Sequence, residues 1–361
     1  MKLTVFFAFV VLFRASVVVH AVEAFQEKNL VVSQVGDGEE VDKAQNVPIV
    51  LKEFTIDGKL VQEIPLPTAA AGANHALTQN RNRVGGDLTR STDGRFVVLG
   101  GVDLPPRSSC PARPVRARTI ARVDSAGHVD TTTCFKDAYF SAGAIGIRSV
   151  VSFDGGGYWI SGKGNEHQGV RYIKHGASTT AAVTDPAEET RHLAIADERL
   201  YVTPAAGVGT IGAGLPLPAA SNALTTQLPG IPLSGWNSPV LLDLDPAVPG
   251  VDTLYVVEDR KPNFAKFKFD GKTWTRDKAF AIKDPNAMLF ITGKVENGTV
   301  VLYGTTDSGS SGSFENELVE IRDETPTPRI RVLTKAKPNY SFRGVSYVPV
   351  RKPAATTAES R

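Results

Sequence analysis

The sequence predicts an all-β fold: a single β-propeller of about six four-stranded blades, with seven blades as the alternative. Three observations support this prediction. The 33 glycines and 23 prolines are spread through the whole chain, which is typical of many short strands and tight turns. A pair of apolar strands around an Asp-Gly-like turn recurs along the chain, and the two ends of the chain supply complementary parts of one repeat.

The repeated hairpin is clearest from Leu88 to Gly100 and from Ile147 to Gly162. A degraded copy runs from Thr190 to Val202, and two altered copies run from Ser238 to Val257 and from Met288 to Tyr303. Asp-Gly and Asn-Gly favour two-residue hairpin turns because such turns need positive φ. Each copy therefore predicts one hairpin.

A second pair of strands is expected behind each hairpin. These pairs span Ala117 to Thr133, Gly169 to Val183, Gly207 to Leu228, Phe264 to Ile282 and Leu318 to Leu333. Two hairpins in succession make a four-stranded unit with a period of about 50 residues, as in propeller blades.

The ends of the chain complete this scheme. Leu30 to Leu66 supplies strands with no preceding inner strand, and Phe342 to Pro349 supplies an inner strand with no following pair. Joining them in one blade closes the ring and removes two exposed sheet edges. A β-sandwich array is the alternative, but a sandwich rarely uses ~300 residues, and a solenoid would not divide one repeat between its ends. The propeller domain is expected over 25–349.

The first 24 residues resemble a secretory signal peptide. Lys2 precedes an apolar run from Leu3 to Phe13, and small residues follow near Ala21 and Ala24. No later run approaches the ~18 apolar residues of a membrane span. Residues 350–361 are polar and small, and a disordered tail is expected there. The sequence thus predicts an extracellular protein.

The charge balance restricts the partners. The formal charge of +2 falls to about zero when Lys2 and Arg14 leave with the signal peptide. Nucleic acid is excluded as an expected partner because its backbone is bound by a clear basic excess. The expected partner of the monomeric protein is an extracellular glycan, an anionic small molecule or another protein.

The two cysteines, Cys110 and Cys134, are expected to form a disulfide because an exported protein meets an oxidising compartment. The bond would close a loop of about 25 residues and contribute roughly 3 kcal/mol. No metal-ligand spacing accompanies the pair. Asn297 and Asn339 begin N-glycosylation sequons.

Four runs of sequence resemble a group of secreted bacterial propeller-like proteins of uncharacterised function. They are Val31 to Gly38, Phe54 to Pro67, Pro249 to Val256 and Phe342 to Val345. The resemblance covers nearly the whole mature chain. It implies a propeller fold and export, and it carries no site residue to this sequence.

Alignment of the hairpins on their turns places charged residues at one position. Asp87, Arg148 and Arg191 each lie six residues before the turn aspartate, and Arg343 begins the closing inner strand. Together they would surround one mouth of the central channel, where guanidinium groups suit a carboxylate or phosphate ligand. The alternative is that each arginine pairs with a carboxylate or carbonyl of a neighbouring blade.

The opposite alternation of the inner strands would direct Leu88, Ser149 and His192 toward the axis instead. The linkers that enter these strands contribute His75, Trp236 and Asn237. An exposed Trp beside an amide suits a sugar ring, whereas a buried Trp236 would plug the space between two blades.

No common catalytic or cofactor motif is present. Gly207 to Gly212 matches GxGxxG, but no helix follows to bind a pyrophosphate, and Walker A, GxSxG and HExxH sequences are missing. Carboxylates in Leu242 to Asp252 and in Glu258 to Asp259 offer oxygen ligands for Ca²⁺, yet their spacing matches no EF-hand loop and solvated hairpin ends are favoured. No cofactor is expected, with Ca²⁺ as the one candidate.

Two functions remain open. The favoured hypothesis is a secreted recognition module that binds a glycan or an anionic ligand at the channel mouth. The alternative is a propeller hydrolase or lyase for sugars, lactones or phosphate esters, with His75 or His192 as acid or base and Ca²⁺ as an optional ion.

Overall fold

The computed structural model describes residues 22–40, 45–80, 83–108, 116–139, 146–164, 167–185, 187–217, 223–259, 261, 263–281, 288–307, 315–324 and 328–351. Cys110 and most residues of the predicted signal peptide and tail lie outside these ranges. Within them the regular structure is β-strand throughout, and no helix is long and apolar enough to cross a membrane.

The described residues form six four-stranded antiparallel sheets, which are the blades. Blade 1 contains, from the axis outward, β26 (Ser341–Tyr347), β1 (Leu30–Val35), β3 (Ile49–Phe54) and β4 (Leu60–Pro65). Blade 2 contains β6 (Leu88–Arg90), β7 (Phe96–Val102), β8 (Arg118–Asp124) and β9 (Val129–Phe135). Blade 3 contains β10 (Ile147–Val151), β11 (Gly157–Gly162), β12 (Arg171–Lys174) and β13 (Ala181–Ala182).

The remaining three blades repeat this order. Blade 4 contains β14 (Thr190–Ala196), β15 (Arg199–Pro204), β16 (Gly209–Ile211) and β17 (Thr225–Gln227). Blade 5 contains β18 (Trp236–Leu242), β19 (Thr253–Glu258), β20 (Asn263–Phe269) and β21 (Trp274–Ala281). Blade 6 contains β22 (Met288–Glu296), β23 (Thr299–Thr306), β24 (Glu317–Arg322) and β25 (Arg329–Lys335), and β2 (Asn46–Val47) pairs separately with β5 (Gln79–Asn80).

The prediction of six four-stranded blades is confirmed. The first strand pairs with the last, with Leu30 opposite Tyr347 in register, so both ends of the described chain contribute to blade 1. Each innermost strand contacts the innermost strand of both neighbouring blades. The six innermost strands therefore surround one axis.

The turn chemistry is only partly as predicted. Asn297 and Gly298 both have positive φ, as do Asp197 and Glu198, so these pairs form the expected two-residue turns. At Asp93 and Gly94 only the glycine has positive φ. There the amide of Ser91 donates to the carbonyl of Phe96 and the Asp93 carboxylate accepts from Arg95 N, so the loop has four residues and the two-residue prediction is wrong.

The core lies between the blades. Val31 and Leu51 of blade 1 pack with Leu88 and Leu99 of blade 2, and similar clusters join the other blades. Each apolar sheet face is covered by the next blade, which explains the alternation of apolar residues in the sequence. Because every innermost strand is fixed by two neighbours, its side chains are held firmly around the axis.

Candidate functional site

The innermost strands change pairing where the sequence analysis placed the candidate site. In β14 two residues, Arg191 and His192, lie opposite one residue of β15, which is a β-bulge. Similar shifts occur in four other innermost strands, at Arg148 in β10, between Asn237 and Val240 in β18, between Met288 and Phe290 in β22, and beside Arg343 in β26. A bulge interrupts the alternation of side chains, so adjacent residues serve two different sites.

A group of paired charges, which we call the ion-pair plug, lies at the channel mouth where the innermost strands start. It consists of Arg83, Arg191, Asn237, Asp259 and Asp307. Arg83 Nη2 lies 2.5 Å from Asp259 Oδ1, and the other end of the guanidinium pairs with Asp307. Arg191 Nη1 lies 2.8 Å from Asp259 Oδ2, and Asn237 Nδ2 donates to Asp259 Oδ1 at 3.3 Å.

Arg83 spans the mouth. It belongs to the linker before blade 2, whereas Asp259 follows β19 of the opposite blade 5 and Asp307 follows β23 of blade 6. Burial alone would raise the pKa of Asp259, but the hydrogen bond and charge of Arg191, together with Arg83, hold that pKa below its ordinary value. The predicted solvated position of Asp259 is therefore wrong.

Arg148 also pairs with a neighbouring blade. Its Nη1 lies 3.0 Å from Glu189 Oε1, just before the first strand of blade 4, and Lys163 Nζ lies 2.8 Å from the second oxygen of the same carboxylate. Burial raises the pKa of Glu189, but Lys163 and Arg148 lower it further than burial raises it. Arg148 and Arg191 thus have the inter-blade partners that the alternative interpretation required.

Arg343 does not reach an open surface. Its side chain is fully buried on β26, against the backbone of Gly86. Its carbonyl accepts a 2.7 Å hydrogen bond from Thr305 Oγ1 of blade 6. The four residues predicted to surround one mouth therefore differ in their burial and in their partners, and their role in ligand binding stays a prediction.

A cavity of about 220 Å³ occupies the channel, lined by all six innermost strands. Asp87 and His192 contribute to its lining, and none of Arg148, Arg191 and Arg343 does. Half-exposed residues such as Ala194 and Thr292 line it nearer the ends of the strands. The cavity thus extends from buried polar groups toward the face opposite the ion-pair plug.

His192 is the most unusual group in this cavity. It is 1% exposed, its ring packs edge-on against Phe290 at 5.5 Å, and neither ring nitrogen makes a well-formed hydrogen bond among the described residues, although the Asn237 side chain lies near enough to favour its charged form. Burial, reinforced by the charges of Arg148 and Arg191, lowers the pKa of His192 to about 3. A neutral imidazole therefore lies in the cavity with unused donor and acceptor capacity, which is rare for a buried polar group.

Asp87 is perturbed in the opposite sense. It is 7% exposed, and burial raises its pKa to about 7, although hydrogen bonds from the Ser149 side chain and the Leu88 backbone partly offset the effect. Ser149 Oγ in turn accepts from Leu193 N at 3.3 Å. This chain of hydrogen bonds joins blades 2, 3 and 4, and Asp87 is partly protonated near neutral pH.

Trp236 is not a surface platform for a sugar. It is 1% exposed, its ring packs edge-on against Phe267 at 5.7 Å, and its Nε1 donates to the carbonyl of Pro232 at 2.9 Å. The alternative interpretation, in which Trp236 fills the space between two blades, is therefore correct. The adjacent Asn237 belongs to the ion-pair plug.

His75 lies away from the cavity and beside one cysteine. Its Nδ1 is 3.2 Å from Asp103 Oδ2, and Cys134 Sγ is 3.9 Å from the same oxygen. Cys134 is a buried free cysteine, and burial raises the pKa of its thiol to about 11. The predicted Cys110–Cys134 disulfide is unsupported, since Cys110 lies outside the described residues.

The remaining sequence candidates are dispersed. Asn297 is exposed on the turn between β22 and β23, whereas Asn339 is half-buried and its Nδ2 donates to the carbonyl of Gly38. Asp252 is buried and its Oδ2 accepts from the amides of Leu244 and Asp245, so it folds its own loop. In the part of the chain that the structure describes, the carboxylates proposed for Ca²⁺ do not converge on one point.

Arg83 and Asp307 could not be identified from the sequence, because both lie in linkers outside the repeated hairpin. The partners of Arg83 come from blades far apart in sequence, and the circular arrangement of the blades brings them together. His192 was among the sequence candidates, because the opposite alternation of side chains along β14 directs His192 instead of Arg191 toward the axis.

No family model matches the chain, and no curated protein matches it. Among solved structures, it is similar to the soluble aldose sugar dehydrogenase of Escherichia coli in the apo form, at 12% identity over 80% of this chain and 95% of that one, with a TM-score of 0.45. It is also similar to a glucose dehydrogenase, at 11% identity over 79% and 95% of the two chains (TM-score 0.44), and to the Cps50 (Swd1) β-propeller domain of Myceliophteria thermophila, at 9% identity over 82% and 86% (TM-score 0.41). The strand order of the chain itself identifies it as a six-bladed β-propeller.

Proposed function

We propose that this protein is a secreted binding propeller whose axial cavity holds one small, polar, anionic molecule. The observation that carries the proposal is the fully buried imidazole of His192, which lines the cavity without a well-formed hydrogen bond at either ring nitrogen among the described residues. Leaving such a group unsatisfied costs about 1–3 kcal/mol. A ligand that accepts from the N–H of the ring removes the part of this penalty that belongs to the donor.

The size of the cavity limits the ligand. A volume of about 220 Å³ is below the ~300–1,000 Å³ of sites for drug-sized molecules. A single monosaccharide, a sugar acid, a hydroxy acid or phosphate is therefore the appropriate class, and a longer glycan would extend out of the channel.

The charge around His192 favours an anion. Arg148 and Arg191 are close enough to depress the pKa of the imidazole, and Asp87 is only partly ionised near neutral pH. The positive potential therefore reaches the cavity, although the guanidinium groups themselves are paired outside it. A carboxylate or phosphate oxygen would accept from His192, and the protonated Asp87 would donate a second hydrogen bond.

Thermal unfolding of the mature protein tests this proposal. The probes are glucose, glucuronate, lactate and inorganic phosphate. A ligand at one hundred times its Kd adds about 2.7 kcal/mol, which raises the midpoint by roughly 5 °C or more in a domain of this general size. We expect a rise with at least one anionic probe and a smaller rise with glucose.

His192→Leu supplies the decisive variant. It removes an unpartnered polar group, so the unliganded variant should be as stable as the wild type or more stable, while the ligand-induced rise should be lost. The matched control is His128→Leu, because His128 is exposed on a loop outside the channel. Failure of every probe, or a rise that persists in His192→Leu, would show that the cavity is not the binding site.

A second candidate function, acid–base catalysis on a lactone or phosphate ester, is favoured by one observation. Asp87 has a pKa of about 7 and His192 a pKa of about 3, so the carboxyl is the proton donor and the imidazole the proton acceptor of the cavity. As the oxygen of a water molecule bonds to the acyl carbon or phosphorus, His192 would take the water proton, and as the bond to the leaving oxygen breaks, Asp87 would protonate that oxygen. Exchange with solvent would then remove the proton from His192 and restore the one on Asp87. The low pKa makes His192 a weak base, which is why binding is the first proposal.

Hydrolysis of gluconolactone and of glucose phosphate distinguishes the two functions. An enzyme would show a rate that falls as pH rises through about 7, where Asp87 loses its proton. Asp87→Asn would remove most of this rate. Binding without measurable turnover in the wild type would exclude the catalytic candidate and leave the binding function intact.

A further inference from the structure

The second feature of interest is a cluster of three side chains on blade 2, outside the channel. His75 comes from the linker between blades 1 and 2, Asp103 follows β7, and Cys134 lies in β9. The nitrogen, oxygen and sulfur atoms that they offer all lie within 4.8 Å of one another. In the part of the chain that is described, this is the one group of three His, Cys, Asp or Glu side chains with such an arrangement.

The cluster is held in place by backbone contacts. Asp103 Oδ1 accepts from the amide of Ala76 at 3.1 Å, which fixes the carboxylate beside His75. The amide of His75 donates to the carbonyl of Thr131 at 3.2 Å, and Asn74 Oδ1 accepts from Thr131 N at 2.8 Å. These bonds fasten the linker to β9 at Thr131, three residues before Cys134, and so bring the three donor groups together.

The cluster differs from two other His–Asp pairs of the protein in containing a cysteine thiol. His128 Nδ1 lies 3.2 Å from Asp124, and His175 Nε2 lies 3.1 Å from Asp130, without a cysteine beside either pair in the described residues. A His–Asp contact alone is common in proteins. The combination of imidazole, carboxylate and buried thiol is the set that coordinates zinc.

The distances suit a tetrahedral ion. With bonds of about 2.0–2.3 Å, two ligands of tetrahedral Zn²⁺ lie roughly 3.3–3.7 Å apart. The observed separations of 3.2 Å and 3.9 Å lie on either side of this range. Ca²⁺ is excluded by its preference for six to eight oxygen ligands. His75 and Asp103 are 39% and 27% exposed, so an ion can enter and a water can take the fourth position.

We propose that His75, Asp103 and Cys134 form a zinc site with three protein ligands and one exchangeable position. The site is independent of the axial cavity, so it stands or falls separately from the proposed binding function. The imidazole and the carboxylate face solvent, whereas the thiol anchors the ion from the protein interior.

Metal titration of the reduced, full mature chain tests the proposal. We expect calorimetry to show one Zn²⁺ per chain, and Co²⁺ substituted for Zn²⁺ to give the intense thiolate charge-transfer absorption and the visible bands of a tetrahedral site. Cys134→Ser should abolish the charge-transfer band. His75→Gln and Asp103→Asn should each weaken Zn²⁺ binding by more than the ~10–100-fold that loss of an outer-shell partner costs.

Two controls complete the design. His128→Gln removes an exposed imidazole with the same distance to its carboxylate and should leave the stoichiometry and affinity unchanged. Cys110→Ser should also bind Zn²⁺ as the wild type does. A Cys110–Cys134 disulfide in the isolated protein, binding that survives in Cys134→Ser, or no binding by the reduced wild type would each overturn the proposal.

Discussion

The two ends of the central channel differ in how their polar groups are satisfied. At the starts of the innermost strands, Arg83 and Arg191 both pair with Asp259 in the ion-pair plug, although Arg191 Nε has no partner among the described residues. At the other end the channel is lined by half-exposed small and apolar residues such as Ala194 and Val240. The buried residues His192 and Asp87 line the same cavity. Every charged side chain of the plug therefore has a partner of opposite charge, whereas His192 at the less charged end has no ionic partner in the described part of the chain.

This difference shows that charge density is a poor guide to a binding site. The arginines that stand out in the sequence connect blade to blade, and their carboxylate partners already occupy the positions a ligand would take. The imidazole that stands out in the structure is inconspicuous in the sequence. A ligand gains most where a buried group lacks a partner, because the cost of desolvation has been incurred without compensation.

The largest effect on the free energy of unfolding is expected from Asp87→Asn, which changes a buried carboxyl that lines the cavity. Because the pKa of Asp87 is raised to about 7, its contribution to stability is fully present below its unfolded pKa near 3.8 and is lost as pH rises through about 7. The difference corresponds to roughly 4 kcal/mol at 1.36 kcal/mol per pKa unit. The neutral amide should avoid this loss, so Asp87→Asn should exceed the wild type in stability at pH 8 and match it near pH 4.

Urea unfolding at several pH values measures this effect. Asp243→Asn is the control, because Asp243 is an exposed carboxylate on the β18–β19 loop. If wild type and Asp87→Asn lost stability in parallel between pH 4 and pH 8, Asp87 would not be the titrating group, and the contrast between the two ends of the channel would rest on His192 alone.

The second largest effect on the free energy of unfolding is expected from Asp259→Asn, which removes the central carboxylate of the ion-pair plug at the other end of the channel. Asp259 accepts from Arg83, Arg191 and Asn237 and is 17% exposed, so the change leaves two largely buried guanidinium groups without their shared anion. Removing one partner of a buried ion pair costs about 3–5 kcal/mol, and the lower value applies to this partly exposed group. A decrease of roughly 6 °C or more in the unfolding midpoint should follow.

The pKa of Asp259 gives this variant a second signature. Since that pKa is depressed, the stability it contributes is present above its unfolded pKa and is lost as pH falls through the folded pKa. Asp259→Asn should therefore be less sensitive to acid than the wild type. A loss below 1 kcal/mol with unchanged acid sensitivity would mean that solvent, not the ion-pair plug, satisfies the arginines.

Much of the fold was predictable because its signals are local. Alternating apolar residues and turn dipeptides gave the hairpins, and the unmatched strands at the two ends of the chain predicted their shared blade, which β1 and β26 form. The loop at Asp93 was not predictable from its Asp-Gly pair, because the hydrogen bonds of Ser91 and Asp93 set its length.

The site was less predictable because it depends on bulges and on contacts between distant blades. A strict alternation sends either Arg191 or His192 toward the axis, and the bulge in β14 gives each residue its own environment. The partners of Arg83 lie in blades 5 and 6, more than 170 residues away in the case of Asp259. No local pattern encodes such a pairing.

The smallest change in stability, and the sharpest test of which end admits a ligand, is expected from Ala194→Phe. Ala194 is half-exposed and lines the cavity on the side away from the ion-pair plug. A phenyl ring there fits a strand and should change the free energy of unfolding by no more than about 0.5 kcal/mol. It should nevertheless obstruct the cavity, so the midpoint rise given by the anionic probe should shrink or disappear. Ala182→Phe, on the outer strand of blade 3, should retain the full rise. A normal rise in Ala194→Phe would indicate that ligands enter past the ion-pair plug, and Asp259→Asn would then be expected to alter ligand affinity as well as stability.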